Sequence, residues 1–146
     1  MATLVEDAQR YAEWIAKALT SSGYPADFSL ESLREIDRFF DEHSSGGEPI
    51  SDGFLSEQLG KRIFALGAYT GEVLCRAYGG RWQADDNDPE GEMNLAVVFP
   101  NGSTVWPVRR VMKRFKNGPE DCVYGYGRAM RDYSGPEPPP WTKGSY

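Results

Sequence analysis

Five basic side chains lie within eight residues, between positions 109 and 116, in a chain of 146 residues whose formal net charge is −6. Guanidinium and ammonium groups in such a cluster can bind the carboxylates of a partner protein or, less readily, phosphates. A solvated helix face is the simpler interpretation of the same cluster. If the cluster does bind a partner, the sequence predicts Arg109, Arg110 and Lys113 as contact residues and an acidic protein surface as their target.

An acidic stretch at residues 85–92 matches half of a calcium-binding loop. Asp86, Asp88 and Glu90, followed by Gly91, have the spacing of the first ligands in such a loop. Position twelve, counted from Asp86, should hold a bidentate glutamate but is Val97. The stretch is therefore predicted to be a solvated loop, and no metal site is predicted in the chain.

One carboxylate lies inside a predicted helix, where it could carry out acid–base chemistry. Glu72 precedes Arg76 by four residues, which favours an ordinary ion pair on one helix face. The alternative is a partly buried carboxylate between Tyr69 and Trp82, with a raised pKa. Trp106, on a later predicted strand, would complete the wall of a site between helix and sheet. The structural role is favoured, because no second carboxylate accompanies Glu72.

The sequence lacks the residues that most catalytic and metal sites require. His43 is the only histidine, and any Ser-His or Cys-His system would have to use it. No nucleophile motif surrounds it, so His43 is predicted to lie on the surface at a helix end. Cys75 and Cys122 are far apart and are predicted to be reduced thiols. No catalytic residue, metal or cofactor is predicted, and the chain is more consistent with a binding protein than with an enzyme.

Size and composition indicate one globular domain inside the cell. The chain is 40% hydrophobic and 13% aromatic, enough apolar material for a packed core. Its net negative charge argues against general binding to nucleic acids or anionic membranes. The N-terminal residues do not have the pattern of a signal peptide, and no segment is long and apolar enough to span a membrane. We expect a cytoplasmic protein with one domain at residues 1–133 and a proline-rich extended tail at residues 134–146.

Three helices are predicted before any long strand. Thr3 is the expected N-cap of the first, with Glu6 as its capping-box partner, and Ser29 is the expected N-cap of the second. The third is predicted to begin at residue 53 or 54 and to end at the glycine pair 79–80. Gly60, Gly67 and Gly71 lie on one stripe of this helix, which favours close contact with another helix or with the sheet over a ligand that approaches the backbone.

A short antiparallel sheet is predicted to follow the third helix. Its strands are expected at residues 81–84, 93–99 and 104–108, with a tight turn at residues 100–103. Pro107 marks a strand end or an edge. A basic helix at residues 108–115 and a last helix after Pro119 complete the prediction. The fold class is therefore α+β, with three N-terminal helices packed on a three-stranded antiparallel sheet and one or two C-terminal helices.

Several short motifs resemble a signature of small bacterial proteins that form a family of unknown function. They are LGAY at 66–69, GEVL at 71–74, GGRW at 79–82, FPNG at 99–102 and NGPED at 117–121, and the resemblance covers roughly residues 54–130. It implies an α+β fold and a bacterial origin, and it transfers no catalytic residue.

The function expected from these features is a non-catalytic interaction with a protein partner. Its most concrete form is an immunity protein that neutralises a toxin, because some small bacterial proteins of this general kind are assigned that role. The alternative is a small-molecule-binding or enzymatic domain with its site at Tyr69, Glu72, Trp82 and Trp106. The oligomeric state is left open.

Overall fold

The computed structural model describes residues 2–130 of the chain. The predicted domain end at residue 133 and the predicted tail at 134–146 lie outside the described residues. The helices are α1 Leu4–Ser21, α2 Leu33–His43, α3 Leu59–Tyr78, α4 Pro107–Asn117 and α5 Val123–Ala129. The strands are β1 Ser44–Ser45, β2 Glu48–Pro49, β3 Arg81–Gln83, β4 Ala96–Val98 and β5 Thr104–Val105.

The first two helix starts follow the predicted capping signals. The Thr3 side chain accepts a hydrogen bond from the Glu6 backbone N–H, and the Glu6 carboxylate accepts one from the Thr3 backbone N–H. Ser29 accepts from the Ser32 backbone N–H and opens a single 3₁₀ turn, Leu30–Ser32, which leads into α2. Both boundaries were predictable because a side-chain oxygen satisfies an otherwise unpaired N–H in each case.

The predicted start of the third helix is wrong. Phe54–Ser56 forms a separate 3₁₀ turn, and the helix begins only at Leu59. Gln58 has a φ of 51°, a left-handed conformation that interrupts the helical path. The end was predicted correctly, since Gly79 caps α3 with a φ of 74°. The long helix is therefore Leu59–Tyr78.

The predicted three-stranded antiparallel sheet is present, but its strands are shorter than expected. Its order is β3-β4-β5, with Trp82 opposite Val97 and Val97 opposite Val105. The predicted extension of the last strand to Val108 is wrong, because Pro107 is the first residue of α4. Proline suits this position, where its fixed φ is helical and its missing N–H has no partner to lose.

Strands β1 and β2 form a second, two-stranded sheet. It lies in the chain between α2 and the 3₁₀ turn Phe54–Ser56. The sequence instead predicts the end of the second helix over residues 43–47 and a polar loop at 48–53, so both short strands are unexpected. Gly46 and Gly47 both have positive φ and form the turn. Strands of two residues carry too little alternation to be recognised in a sequence.

Helix α3 lies at the centre of the packing, with its middle turns fully buried. Its most extensive contacts are with α1 and α4, while α2 packs mainly on α5. The three-stranded sheet contacts the helices chiefly through α3. The prediction that all three N-terminal helices pack on the sheet is therefore wrong in detail, because α1 and α2 pack mainly on other helices.

Two of the three glycines in α3 make the close contacts that the sequence predicted; the prediction is wrong for Gly60, where an added Cβ atom would have nothing within 4 Å. A Cβ atom on Gly67 would lie 2.6 Å from the Cα of Val108 in α4. A Cβ atom on Gly71 would lie 2.0 Å from the ring of Trp82 in β3. Gly67 therefore allows α4 to pack closely on α3, and Gly71 allows the Trp82 side chain of β3 to do the same. Helix α3 thus contacts both a helix and the sheet at short range.

Candidate functional site

An open cleft of about 610 Å³ lies beside the acidic stretch. We call it the acidic cleft. It lies between the loop before β4, the start of α1 and the start of α4, and its lining residues are Leu4, Asp86, Asp88, Pro89, Glu90, Gly91, Glu92, Met93 and Arg109. The cleft therefore brings the predicted acidic loop and one residue of the predicted basic cluster to one place.

Hydrogen bonds fix the carboxylates of this loop in position. Asp88 accepts from the Asn94 side-chain amide through one oxygen and from the Glu90 backbone N–H through the other, both at 2.8 Å. These bonds, led by the one from Asn94, hold the pKa of Asp88 below its usual value. Asp86 accepts from the Leu4 backbone N–H at 2.8 Å and so ties the loop to the first turn of α1.

Arg109 crosses from α4 to the same loop. Its Nε donates to the Met93 carbonyl oxygen at 3.2 Å, and a terminal nitrogen donates to Asn94 Oδ1. Since Asn94 also donates to Asp88, a chain of hydrogen bonds runs from the guanidinium group to the carboxylate. The contacts of Arg109 with the loop order the acidic rim and leave the net charge of the cleft negative.

The half-matching calcium motif gains no ligands from the rest of the fold. Val97, at the position where the bidentate glutamate is required, is fully buried in β4. Among residues 2–130 no three His, Cys, Asp or Glu side chains converge in a way that could hold a metal ion.

The other predicted residues of the basic cluster face elsewhere. Arg110 lies 3.3 Å from Asp121 Oδ1, and its guanidinium group stacks 4.1 Å from the Tyr126 ring centre. Lys113 is half-buried. Arg114, which the sequence counted among the surface charges, has a side chain only 3% exposed. Successive helical residues point about 100° apart, so one basic stretch supplies three different environments.

Arg114 belongs to a buried group that the sequence did not reveal, which we call the Asp37 cluster. Arg114 Nε donates to Asp37 Oδ1 at 3.0 Å, and its terminal nitrogen donates to Asp41 Oδ1 at 2.6 Å. The Asp37 carboxylate also accepts the backbone N–H groups of Val123 and Tyr124, both at 2.8 Å. The apolar spacing of the second helix predicts Asp37 on its solvated face, and nothing local distinguishes it from a surface aspartate.

The second predicted site, between α3 and the sheet, is occupied by its own side chains. Trp82 Nε1 donates to Glu72 Oε1 at 2.8 Å, and Arg76 Nε lies 3.6 Å from Glu72 Oε2. The Glu72 side chain is 16% exposed. Trp106 is half-buried and directly precedes α4. Both oxygens of the carboxylate thus have partners within the fold.

Tyr69 is a core residue in the structure. Its ring is fully buried and packs 4.8 Å from the Phe28 ring centre. Its hydroxyl group lies 2.6 Å from Ser32 Oγ and accepts from the Phe28 backbone N–H at 3.0 Å. Burial raises the pKa of Tyr69 above its usual value. These contacts indicate a role in fixing the loop before α2.

His43 is not the surface residue that the sequence predicted. Its ring is half-buried and stacks on Phe39 with ring centres 4.4 Å apart. Its Nδ1 accepts from the Phe54 backbone N–H at 3.4 Å, a geometry that requires the neutral ring. Burial lowers the pKa of His43, which also favours the neutral form. Its contacts join the end of α2 to the 3₁₀ turn.

The two cysteines are free thiols, as predicted. Burial raises the pKa of Cys75 to about 12 and that of Cys122 above its usual value. Cys122 donates from Sγ to Asp37 at 3.1 Å. Thiols with raised pKa values are poor nucleophiles at neutral pH.

Comparisons of the chain with protein-family models, with curated proteins and with solved structures give no significant match. The resemblance to small bacterial proteins therefore stays a prediction based on its motifs. None of the helices described in residues 2–130 has both the length and the apolar character needed to cross a bilayer.

Proposed function

We propose that this chain is a non-catalytic protein-interaction domain that binds a basic partner at the acidic cleft. The observation that carries the proposal is the cleft itself, where an open space of about 610 Å³ is bordered by Asp86, Asp88, Glu90 and Glu92. Their loop is held in one conformation by hydrogen bonds within the chain. A rim that is already ordered loses little conformational entropy when a partner binds.

Electrostatics favour a basic partner over the acidic one that the basic cluster suggested. Arg110 and Arg114 lie against Asp121 and Asp37 within the chain, and Arg109 contacts the acidic loop. The chain as a whole carries a formal charge of −6. Complementary charge raises association rates and selects among partners more than it raises affinity.

The most specific form of the proposal is an immunity protein that neutralises a toxin in the bacterial cytoplasm. Its support is the motif resemblance to small bacterial proteins. The toxin would present lysine or arginine side chains to the acidic cleft, and the bound domain would cover the surface that the toxin uses. This form rests on resemblance more than on geometry.

The test compares affinity captures from lysate of the native cell, analysed by mass spectrometry. Wild-type protein is expected to capture a basic protein at low salt, and capture should decline as salt rises. The variant carrying both Glu90→Lys and Glu92→Lys should lose that protein. A matched variant with Glu31→Lys and Glu48→Lys, on exposed residues elsewhere, should retain it. Equal capture by both variants would contradict the acidic cleft as the binding surface.

The alternative function, a ligand-binding or enzymatic site between α3 and the sheet, makes a different prediction. Glu72 would then have to leave Trp82 and Arg76 to reach a substrate. The variant Glu72→Gln retains an acceptor for Trp82, so its partner capture should equal that of the wild type. A metabolite that co-purifies with wild-type protein and not with Glu72→Gln would favour the alternative.

A further inference from the structure

The pair Asn-Gly occurs twice in the chain, at Asn101-Gly102 and at Asn117-Gly118, and both asparagines are exposed. In such a pair the glycine backbone nitrogen can attack the asparagine side-chain amide, because glycine has no Cβ atom to hinder the approach. The attack joins the glycine nitrogen to the asparagine Cγ and expels ammonia, which leaves a five-membered succinimide ring. Water then opens the ring at either carbonyl and gives aspartate or isoaspartate. The reaction needs no reagent other than water.

The side-chain amide of Asn101 is held by two hydrogen bonds from Ser103. The Ser103 backbone N–H donates to Asn101 Oδ1 at 2.9 Å, and the Ser103 hydroxyl group donates to the same oxygen at 2.6 Å. Both donors belong to the residue after Gly102, so the amide is turned toward the Gly102 backbone, as in an Asx turn. Ser103 is only 1% exposed, which keeps its hydroxyl group beside the amide. The carbonyl group that must be attacked is therefore fixed within the turn.

The same two donors favour the chemical step. Negative charge develops on Asn101 Oδ1 as the Gly102 nitrogen adds to Cγ, and donors already in place stabilise such a charge, as they do in an oxyanion hole. Asn101 and Gly102 are both exposed, so water can reach the ring once it has formed. One contact opposes the reaction, because the Gly102 N–H donates to the Phe99 carbonyl oxygen at 2.9 Å and must leave it before the nitrogen attacks.

The second pair, Asn117-Gly118, has the same opposing contact and different surroundings. The Gly118 N–H donates to the Arg114 carbonyl oxygen at 3.0 Å. Asn117 Nδ2 donates to Asp121 Oδ2 at 2.7 Å. This bond holds the amide by the nitrogen that must leave, and it places a carboxylate near the oxygen on which negative charge develops. Arg110 offsets only part of that charge, since it lies 3.3 Å from the other oxygen of Asp121.

We propose that Asn101 is a site of spontaneous modification, at which the folded chain converts asparagine to aspartate and isoaspartate faster than at Asn117. The proposal is independent of the acidic cleft. Either product adds a negative charge to the turn between β4 and β5. Aspartate keeps the length of the main chain and can accept the same two bonds from Ser103. Isoaspartate adds one atom to the main chain before Gly102, so it should displace the bond of 2.9 Å from the Phe99 N–H to the Ser103 carbonyl oxygen.

The first test is peptide mapping by mass spectrometry of the full wild-type chain, aged in mildly alkaline buffer with and without urea. In native buffer Asn101 should convert at least about fivefold faster than Asn117, the factor that one well-placed hydrogen bond supplies. In urea the contact with Ser103 is lost, so the two rates should approach each other. The proposal would be overturned if Asn117 converted as fast as Asn101 in native buffer. It would also be overturned by a ratio of rates that urea leaves unchanged.

The second test removes the hydroxyl donor. Ser103→Ala should slow conversion of Asn101 about fivefold and leave the rate at Asn117 unchanged, while Ser103→Thr keeps a hydroxyl group and should retain the wild-type rate. Thermal melting checks that each variant is folded. Ser103→Cys serves as the second variant if Ser103→Ala folds poorly, because a thiol is a weaker donor than a hydroxyl group. A folded Ser103→Ala chain that converts Asn101 at the wild-type rate would contradict the proposal.

The third test separates the effect of charge from that of the longer main chain. The variant Asn101→Asp is identical to the aspartate product, and its melting temperature should equal that of wild type. The isoaspartate form, purified by chromatography from aged wild-type protein, carries the same charge and should melt at a lower temperature. Equal melting temperatures for these two forms would contradict the displacement of the turn.

Discussion

The Asp37 cluster and the acidic cleft both include an arginine of α4, but the two groups of charges have different roles. In the Asp37 cluster, Arg114 is 3% exposed and joins α4 to α2, while Asp37 joins α2 to the start of α5. In the acidic cleft, Arg109 holds a loop whose carboxylates face solvent. The two arginines are five residues apart, about 7.5 Å along the helix. Two arginines that are close in the sequence therefore have different roles. Arg114 forms a buried ion pair within the fold, and Arg109 orders a loop at the surface.

The difference depends on how far each group is removed from water. A buried charge must find partners within the chain, because an unpaired one would cost several kcal/mol. An exposed charge has no such requirement and contributes about 0–1 kcal/mol to stability through its ion pairs. Variants at the two groups should therefore separate stability from binding.

The largest effect is expected from Asp37→Ala. This change removes the acceptor for Arg114 and for the first N–H groups of α5. The loss in the free energy of unfolding should be about 3 kcal/mol, at the lower end for a buried ion pair because Asp37 is 15% exposed. Urea denaturation followed by circular dichroism measures it. The control is Asp41→Ala, which also removes an acceptor of Arg114 but at a residue 55% exposed, and should cost no more than about 1 kcal/mol. If both variants lost the same free energy of unfolding, burial would not explain the difference between Asp37 and Asp41.

The next effect is expected at the contact between α3 and β3. Gly71→Ala would place a methyl group 2.0 Å from the Trp82 ring, so the ring must move and release Glu72. The expected net loss is about 1–2 kcal/mol, since strain outweighs the better helix propensity of alanine. Gly60→Ala, with nothing within 4 Å of its new methyl group, should instead be neutral or stabilise the chain by up to about 1 kcal/mol. Thermal melting of both variants measures the contrast, and a stabilised Gly71→Ala would show that the contact is loose.

His43 is half-buried, so its burial lies between that of Asp37 and that of the exposed carboxylates. Because it titrates near neutral pH, it should make the free energy of unfolding depend on pH. Burial lowers its pKa from 6.5, so the unfolded chain binds the proton more readily than the folded chain. Stability is then complete above about pH 6.5 and falls as pH decreases toward the folded-state pKa. The stability gap between wild type and His43→Gln should be constant above that pH and narrow below it, as measured by urea denaturation between about pH 5 and pH 8. A gap that widens as pH falls would show that the folded chain prefers the protonated ring.

The smallest effect on stability is expected at the rim of the acidic cleft. Glu92→Lys changes an exposed residue, so the free energy of unfolding should stay within about 0.5 kcal/mol of wild type. The same change should weaken capture of a basic partner. A loss of about 2 kcal/mol or more in the free energy of unfolding would show that Glu92, like Asp37, stabilises the fold.

The elements that could be predicted from the sequence are those whose signals are local. The Thr3 and Ser29 caps each depend on residues within three positions, and the Gly79 stop depends on one backbone conformation. The mixed helix and sheet class and the presence of a three-stranded antiparallel sheet follow from patterns of the same short range. The start of α3 was missed because Phe54 and Leu55 continue the apolar spacing of the helix, while the left-handed Gln58 between them and Leu59 has no sequence signal.

The candidate site was predicted in its parts and missed in its assembly. The acidic loop and Arg109 were both singled out, but sequence spacing could not place them together across 15 residues. Asp37 was missed altogether, because its partners lie 77 to 87 residues away along the chain. His43 was assigned to the surface because the Phe54 N–H that it accepts belongs to a separate turn 11 residues further along the chain.

The cap that Asp37 provides makes α5 depend on contacts with the rest of the domain. Helix α5 has seven residues, two of them glycine, and a helix this short does not persist alone in water. Its first N–H groups donate to the Asp37 carboxylate on α2, and Asp37 in turn accepts from Arg114 on α4. We therefore expect α5 to pack onto the domain after α2 and α4 have formed. Amide hydrogens of α5 should accordingly exchange with solvent through openings that leave α1 and α3 intact.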